Sequence, residues 1–146
     1  YCRELGADAV IDHTQPLAAQ MRALGYAGAD YIFSTASLAG FSQWAAALNP
    51  LGKICCIVGG PETTRLDVSP LFPLRGTLAF ELMFTRPSTG VDPEKQGAIL
   101  DRVAGLLDGG ILRSTAHQIL SWEQVQEAHR QIESGRTIGK IVMTVI

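Results

Sequence analysis

Asn49-Pro-Leu-Gly-Lys-Ile-Cys-Cys-Ile-Val-Gly-Gly-Pro61 is the stretch that decides the fold. Proline cannot continue a helix, so the residues before it, about Leu38 to Leu48, read as a helix that stops at Asn49-Pro50. Leu51-Gly52 turns the chain into Lys53-Ile-Cys-Cys-Ile-Val58, which is apolar without alternation. Such a run suits a parallel strand covered on both faces. Gly59-Gly60-Pro61 then ends it in a sharp loop.

The same rhythm continues outward in both directions. Upstream, Asp30-Tyr-Ile-Phe33 is a short apolar strand running into Ser34-Thr-Ala-Ser37, which can cap the helix that follows. Pro16 to Leu24 reads as a helix with Leu17, Met21 and Leu24 on one stripe and Gly25 closing it. Ala9-Val-Ile-Asp12 reads as a strand, and Tyr1-Cys-Arg-Glu-Leu-Gly6 as the end of a helix. Downstream, order loosens from Glu62 to Arg75, with Leu66-Asp-Val68 as short extended chain and Pro70-Leu-Phe-Pro73 as a single turn. Thr77 to Phe84 is a strand candidate, followed by Thr85-Arg-Pro-Ser88. Asp92 as N-cap and Pro93 at the first helical position open the clearest helix, whose apolar face is Ile99, Leu100, Val103, Leu106 and Leu107. Gly109-Gly110 ends it. The last thirty or so residues change rhythm: His117 to Leu120 is extended, and Ser121-Trp-Glu-Gln124 is a capping box. The helix after it carries Val125, Ala128, His129 and Ile132 on its apolar face, stops at Gly135, and leads to the strand Lys140-Ile-Val-Met-Thr-Val145. Strands separated by helices of about ten residues imply crossovers and a parallel, doubly wound α/β sheet.

Composition narrows the function classes. With 146 residues and 47% hydrophobic content, the chain can bury the core of one domain. A net charge of −2 with interspersed signs gives no electrostatic case for nucleic acid or an anionic membrane. No stretch approaches about 18 uninterrupted apolar residues, so no transmembrane helix is expected. Cys2, Cys55 and Cys56 form no C-x-x-C pair and read as reduced core thiols, for which a reducing cytoplasm is the natural setting. The sequence begins without Met or a leader, which fits a chain that starts within a longer protein.

Ligands of open parallel sheets bind beyond the carboxyl ends of the strands. That singles out Asp12-His13-Thr14, Ser34-Thr35-Ala36, Val58-Gly59-Gly60 and Phe84-Thr85-Arg86. His13 reads either as a contact to an adenosine ribose or its phosphate, or as a solvated loop histidine. Ser34 and Thr35 can cap a helix, bind a cofactor, or both. Gly59-Gly60 lets backbone approach a flat ligand without Cβ interference, and a plain tight turn explains it equally well. Arg86 could bind phosphate or hold a loop through an ion pair. His129 reads as a packed core histidine, and Trp44 and Trp122 as core or interface residues. There is no G-x-S-x-G elbow, no G-x-x-x-x-G-K-[ST] loop and no zinc-ligand spacing among the histidines and cysteines.

Five stretches occur in order: Leu5-Gly-Ala-Asp-Ala-Val-Ile-Asp12, Asp30-Tyr-Ile-Phe-Ser34, Leu48-Asn-Pro-Leu-Gly-Lys53, Phe84-Thr-Arg-Pro-Ser88 and Gly139-Lys-Ile-Val142. Together they resemble the C-terminal part of the medium-chain dehydrogenase/reductase superfamily, in its quinone oxidoreductase and zinc-type alcohol dehydrogenase-like branch. The Thr-Arg-Pro-Ser run with the preceding Glu-Leu-Met-Phe points to the quinone reductase side.

The resemblance implies a partial Rossmann-like sheet whose first two strands and glycine loop lie upstream of Tyr1. In the family order 3-2-1-4-5-6, that leaves a gap between the strand Ala9 to Asp12 and the strand Asp30 to Phe33. An isolated chain of this length is then expected to expose apolar edges, to bind dinucleotide poorly and to be inactive by itself. Residues 1–115 would complete the dinucleotide-binding domain, and residues 116–146 would return to a GroES-like catalytic domain. The implied cofactor is NADPH, with NADH as the alternative, and zinc is not expected from this segment. His13 would lie near the adenosine 2′-phosphate, and Ser34, Thr35 and Ala36 near the nicotinamide ribose. Val58, Gly59 and Gly60 would face the nicotinamide, Met83, Phe84 and Thr85 its carboxamide, and Lys140 (with Gly139) would sit near the cofactor or serve only strand entry. No catalytic residue is assigned. Thr77 to Phe84 would be the edge strand of a homodimer. The implied reaction moves hydride directly from nicotinamide to a quinone or an α,β-unsaturated carbonyl, with the protein orienting both reactants. The alternatives are part of a zinc-dependent alcohol dehydrogenase, and a catalytically silent nucleotide-binding or dimerisation module.

Overall fold

The computed structural model describes residues 1–145. They form two compact units, one of Cys2–Thr85 and one running from Arg86 onward that also takes in Tyr1.

The first unit is a three-stranded parallel sheet in the order β1-β2-β3, with β1 at Ala29–Ser34, β2 at Leu48–Cys56 and β3 at Thr77–Phe80. Helix α1 is Leu17–Ala23, closed by Gly25 in the left-handed conformation at φ 87°. Gly25 N–H reaches the Arg22 carbonyl and Tyr26 N–H the Met21 carbonyl, the paired bonds that satisfy a helix end and favour glycine there. Between β1 and β2 the chain makes a 3-10 turn at Leu38–Gly40 and helix α2 at Phe41–Ala46. Ser37 caps the turn by accepting the Ala39 N–H at 3.3 Å.

Four sequence expectations change here. The helix expected to reach Leu48 stops at Ala46, because the Ala47 carbonyl accepts the Ala29 N–H at 2.8 Å and Leu48 already pairs with Ala29 in the sheet. Asn49-Pro50-Leu51-Gly52 is therefore an irregularity within β2, with Leu51 at φ 65°, and the strand ends at Cys56 instead of Val58. The strand expected over Ala9 to Asp12 does not form: the segment has no regular secondary structure and lies outside the β1-β2-β3 ladder, since a strand needs a hydrogen-bonding neighbour. β3 is shorter than the expected Thr77 to Phe84. After Phe80 the Glu81 N–H still reaches the Cys56 carbonyl at 2.9 Å, and the chain then turns into helix α3 at Thr85–Thr89.

The core lies on one face of this sheet. Ile54 and Cys56, 0% and 1% exposed, pack with Leu38, Phe41, Trp44 and Leu71. Trp44 meets Phe41 edge to face, with ring centroids 6.4 Å apart. On the opposite face Tyr31 and Phe33 are 76% and 66% exposed. The apolar run of β2 thus alternates in burial within this unit, although its sequence does not.

In the second unit, helix α4 is Lys95–Asp108, and Ile99, Leu100, Val103 and Leu107 on its apolar stripe are exposed. Asp92 does not cap it. At φ 47° its backbone is left-handed, and its carboxylate instead accepts from Lys95 Nζ at 2.6 Å and pairs with Arg86 at 3.2 Å. The C-terminal residues form the parallel pair β4 (Ala116–Ser121) and β5 (Lys140–Thr144), joined through α5 (Val125–Glu133). The capping box forms as expected, with Ser121 Oγ accepting the Glu123 N–H and Gln124 accepting the Ser121 N–H. On α5 only Ala128 is fully buried, and His129 and Ile132 are exposed. A two-stranded sheet offers too narrow a face to cover the whole stripe, so His129 is not the core histidine expected.

Candidate functional site at the strand ends

The carboxyl ends of the three parallel strands lie side by side, and this brings most of the sequence-selected residues together. Ser34 is the last residue of β1, opposite Cys56 in the register, and it is buried. Its hydroxyl accepts the Ala36 N–H at 3.2 Å, which folds Thr35 and Ala36 into an exposed turn. One residue beyond β2, the Ile57 N–H donates to the Ser34 carbonyl at 3.2 Å and ties the two strand-end loops to each other.

The second loop, Val58-Gly59-Gly60, is exposed and closes on the 3-10 turn Pro61–Arg65. Gly60 N–H donates to Thr63 Oγ1 at 3.2 Å, and Thr63 N–H returns to the Gly60 carbonyl at 3.0 Å. Gly60 is fully extended, so its conformation does not itself require glycine. A Cβ built on Gly59 would have Thr63 Oγ1, at 4.0 Å, as its nearest neighbour. Backbone is thus open to a ligand at Gly59. Beside this loop lies a cavity of about 560 Å³, lined by Leu38, Phe41, Glu62, Arg65, Leu66 and Asp67.

At the end of β3, Met83 and Phe84 are exposed, and Thr85 N–H donates to the Leu82 carbonyl at 2.9 Å as α3 begins. Arg86 takes the structural option, pairing with Asp92 in the second unit. Lys140 belongs to the second unit. Its backbone N–H, at the entry to β5, donates to the Thr115 carbonyl at 2.7 Å.

His13 sits exposed on a turn of residues 12–15. The Asp12 carboxylate accepts both the Thr14 hydroxyl at 2.7 Å and the Thr14 N–H at 2.9 Å. These bonds, the hydroxyl's foremost, hold the Asp12 carboxyl below the ordinary carboxylate range. Asp67 beside the cavity is lowered in the same way by Ser69. Sequence reasoning missed Gln20, whose carboxamide on α1 bonds both backbone groups of Asp12. The only available signal was a polar residue one turn into a helix that starts close behind the loop.

A buried hydroxyl at Ser34, an exposed turn at Thr35-Ala36 and open backbone at Gly59 thus stand at the ends of adjacent strands. Among the described residues no group of three or more His, Cys, Asp or Glu side chains could hold a metal ion. None of the described helices is long and apolar enough to cross a membrane.

The sequence profile described as zinc-binding dehydrogenase matches residues 5–143. A zinc-type alcohol dehydrogenase-like protein of Staphylococcus aureus (strain MSSA476) is 30% identical over 150 aligned residues, which cover 99% of this chain and 44% of that protein. A protein of the same description from Staphylococcus epidermidis is 29% identical over 97% of this chain and 43% of its own length. The chain therefore spans less than half the length of the curated relatives it matches. Among solved structures, a candidate zinc-dependent alcohol dehydrogenase from Rhizobium etli CFN 42 superposes with a TM-score of 0.83 at 34% identity, covering 99% of this chain and 43% of that one. An NAD-dependent alcohol dehydrogenase superposes with a TM-score of 0.76 at 25% identity, covering 99% and 40%.

Proposed function

The chain belongs to the zinc-binding dehydrogenase family, and from that premise we propose that it forms the nicotinamide side of an NAD(P)H-dependent oxidoreductase within a longer polypeptide. The observation that carries this reading is the junction of the β1 and β2 ends. Ser34 is buried and capping, its carbonyl is bound by Ile57, and Gly59 lies open beside it. A ligand seated there meets backbone and a fixed hydroxyl instead of mobile side chains. That preorganises its orientation.

NADPH is the proposed cofactor, with NADH as the alternative, and a quinone or α,β-unsaturated carbonyl is the proposed acceptor. When bound, the dinucleotide supplies the hydride. The chain's own contribution is positional: Ser34 to Ala36 border the ribose, Val58 to Gly60 present backbone to the ring, and Met83 to Thr85 lie near the carboxamide. The outer edge of β3 is the proposed contact for a second copy, since β3 is the last strand of its sheet.

The names of the relatives favour a second reading, a zinc-dependent alcohol dehydrogenase whose metal ligands lie outside this chain. One experiment on the complete gene product separates these. NADPH oxidation with quinones or enones that survives chelation supports the first reading. Chelator-sensitive oxidation of alcohols supports the second. Dinucleotide binding, followed by tryptophan fluorescence, without turnover of any acceptor would leave a nucleotide-binding module.

A further inference from the structure

A side-chain amide here makes the bonds that a strand neighbour would make. Asp12 ends a segment that belongs to no sheet, yet both of its backbone groups are bonded. Its N–H donates to Gln20 Oε1 at 2.8 Å, and Gln20 Nε2 donates to its carbonyl at 2.8 Å. This is the two-point pattern that an adjacent strand would supply. The same carbonyl also accepts the Gln15 N–H at 3.2 Å, and the Asp12 carboxylate holds Thr14 from the other side. His13 is thus presented by a turn fixed at both flanks. Gln20 is itself held on α1, whose first helical N–H, that of Leu17, is bonded by Gln43 of α2 at 3.3 Å.

We propose that Gln20 is a positioning residue for the adenosine end of the dinucleotide: by clamping Asp12 it fixes His13 where a 2′-phosphate can be met, and so sets preference for NADPH over NADH. The proposal rests on the reading of this chain as part of a dinucleotide enzyme and of His13 as its phosphate contact. A loose loop would have to be ordered on binding, at a cost charged against the one ligand that uses it. Gln20 touches no ligand in this scheme. Its influence passes wholly through His13.

The test uses the complete gene product and tryptophan quenching by NADPH and by NADH. Gln20→Met removes both amide bonds while keeping chain length, neutrality and helix propensity. It is expected to raise the Kd for NADPH about tenfold, the scale of a lost charge-assisted bond, and that for NADH by less than about twofold. In a His13→Ala background, Gln20→Met is expected to change neither. If His13→Ala weakens NADPH selectively and Gln20→Met does not, the inference is overturned and the role of His13 stands. Equal weakening of both dinucleotides by Gln20→Met, with or without a lower melting temperature, makes Gln20 merely structural and also overturns it. No selective effect of His13→Ala overturns the phosphate contact and the inference with it, and no binding of either dinucleotide overturns the dinucleotide reading itself.

Discussion

Gly139 passes so close to Thr115 that a Cβ on it would stand 2.6 Å from the Thr115 carbonyl oxygen, and it would also meet His117 Cβ at 2.8 Å. Gly139 holds this approach at φ 68°, and the next residue donates its N–H to the same carbonyl. The entry to β5 is thereby locked to the start of β4, and the lock is made of backbone.

Gly139→Ala is expected to destabilise the C-terminal unit. The left-handed backbone alone costs a non-glycine residue about 1–3 kcal/mol, and the approach to Thr115 adds to that because neither backbone can yield freely. Lys140→Ala keeps the backbone bond and is expected to leave stability unchanged. Denaturant midpoints of the two variants check this. A Gly139→Ala midpoint equal to that of the parent would contradict the contact.

Ile54→Ala tests the core of the first unit. Ile54 is fully buried among Phe41, Trp44 and Leu71. Its truncation is expected to cost about 2–5 kcal/mol, the range for removing a large aliphatic side chain from a packed core. Tyr31→Ala on the open face of the same sheet should cost far less in the same urea titration. Comparable losses at the two positions would mean that the face carrying Tyr31 is covered.

Thiol labelling distinguishes the cysteines. Cys2 is exposed, Cys55 half-buried and Cys56 buried. Burial chiefly, with the neighbouring Cys55 thiol adding to it, pushes the Cys56 thiol above its ordinary value and away from the reactive thiolate. Under native conditions an aromatic disulfide reagent should modify Cys2 first and leave Cys56 untouched until unfolding, with mass spectrometry assigning the sites. Early modification of Cys56 would contradict its packing.

The legible and the hidden parts of this molecule divide along physical lines. Local rules held where the determinants were local: Gly25 closes α1, Ser37 caps the turn before α2, and Ser121 with Gln124 forms the capping box. Element ends failed where partners far away in sequence decided them. Leu48 left its helix for a place beside Ala29, Ala9 to Asp12 had no strand to pair with, and Asp92 gave up a cap to meet Arg86 and Lys95. Of the candidate site, Ser34 to Ala36 and Val58 to Gly60 were legible because a parallel sheet aligns its strand ends. Gln20 was not, because an amide bonding to backbone eight residues away leaves no periodic trace.

The Asp92 carboxylate supplies a pH-dependent test. Lys95 first, then Arg86, holds its carboxyl below the ordinary range. A carboxyl whose folded value is depressed binds more protons when unfolded, so stability rises with pH across the interval between the two values. The contribution is present above the ordinary carboxylate range and is lost as pH falls through the lowered folded value. Asp92→Asn removes the charge while keeping a residue that tolerates the left-handed backbone. Its melting temperature should fall slightly below the parent's at neutral pH and converge with it in acid. A difference that is constant across pH would assign the effect to something other than this ion pair.

Gly59→Ala separates the demands of the fold from those of a ligand. Gly59 has no left-handed backbone to relieve, and an added Cβ would meet nothing nearer than Thr63 Oγ1 at 4.0 Å. The fold should accept the methyl group. Stability is expected to stay level or to rise by about 0.4–1 kcal/mol through lower unfolded-chain entropy. A flat ring packed against that backbone would be displaced, so dinucleotide affinity should drop several-fold in the complete gene product. Thermal melting and fluorescence titration on the same sample read the two effects independently. Unchanged affinity with unchanged stability would mean that no ligand approaches Gly59, and the nicotinamide end would have to be sought elsewhere.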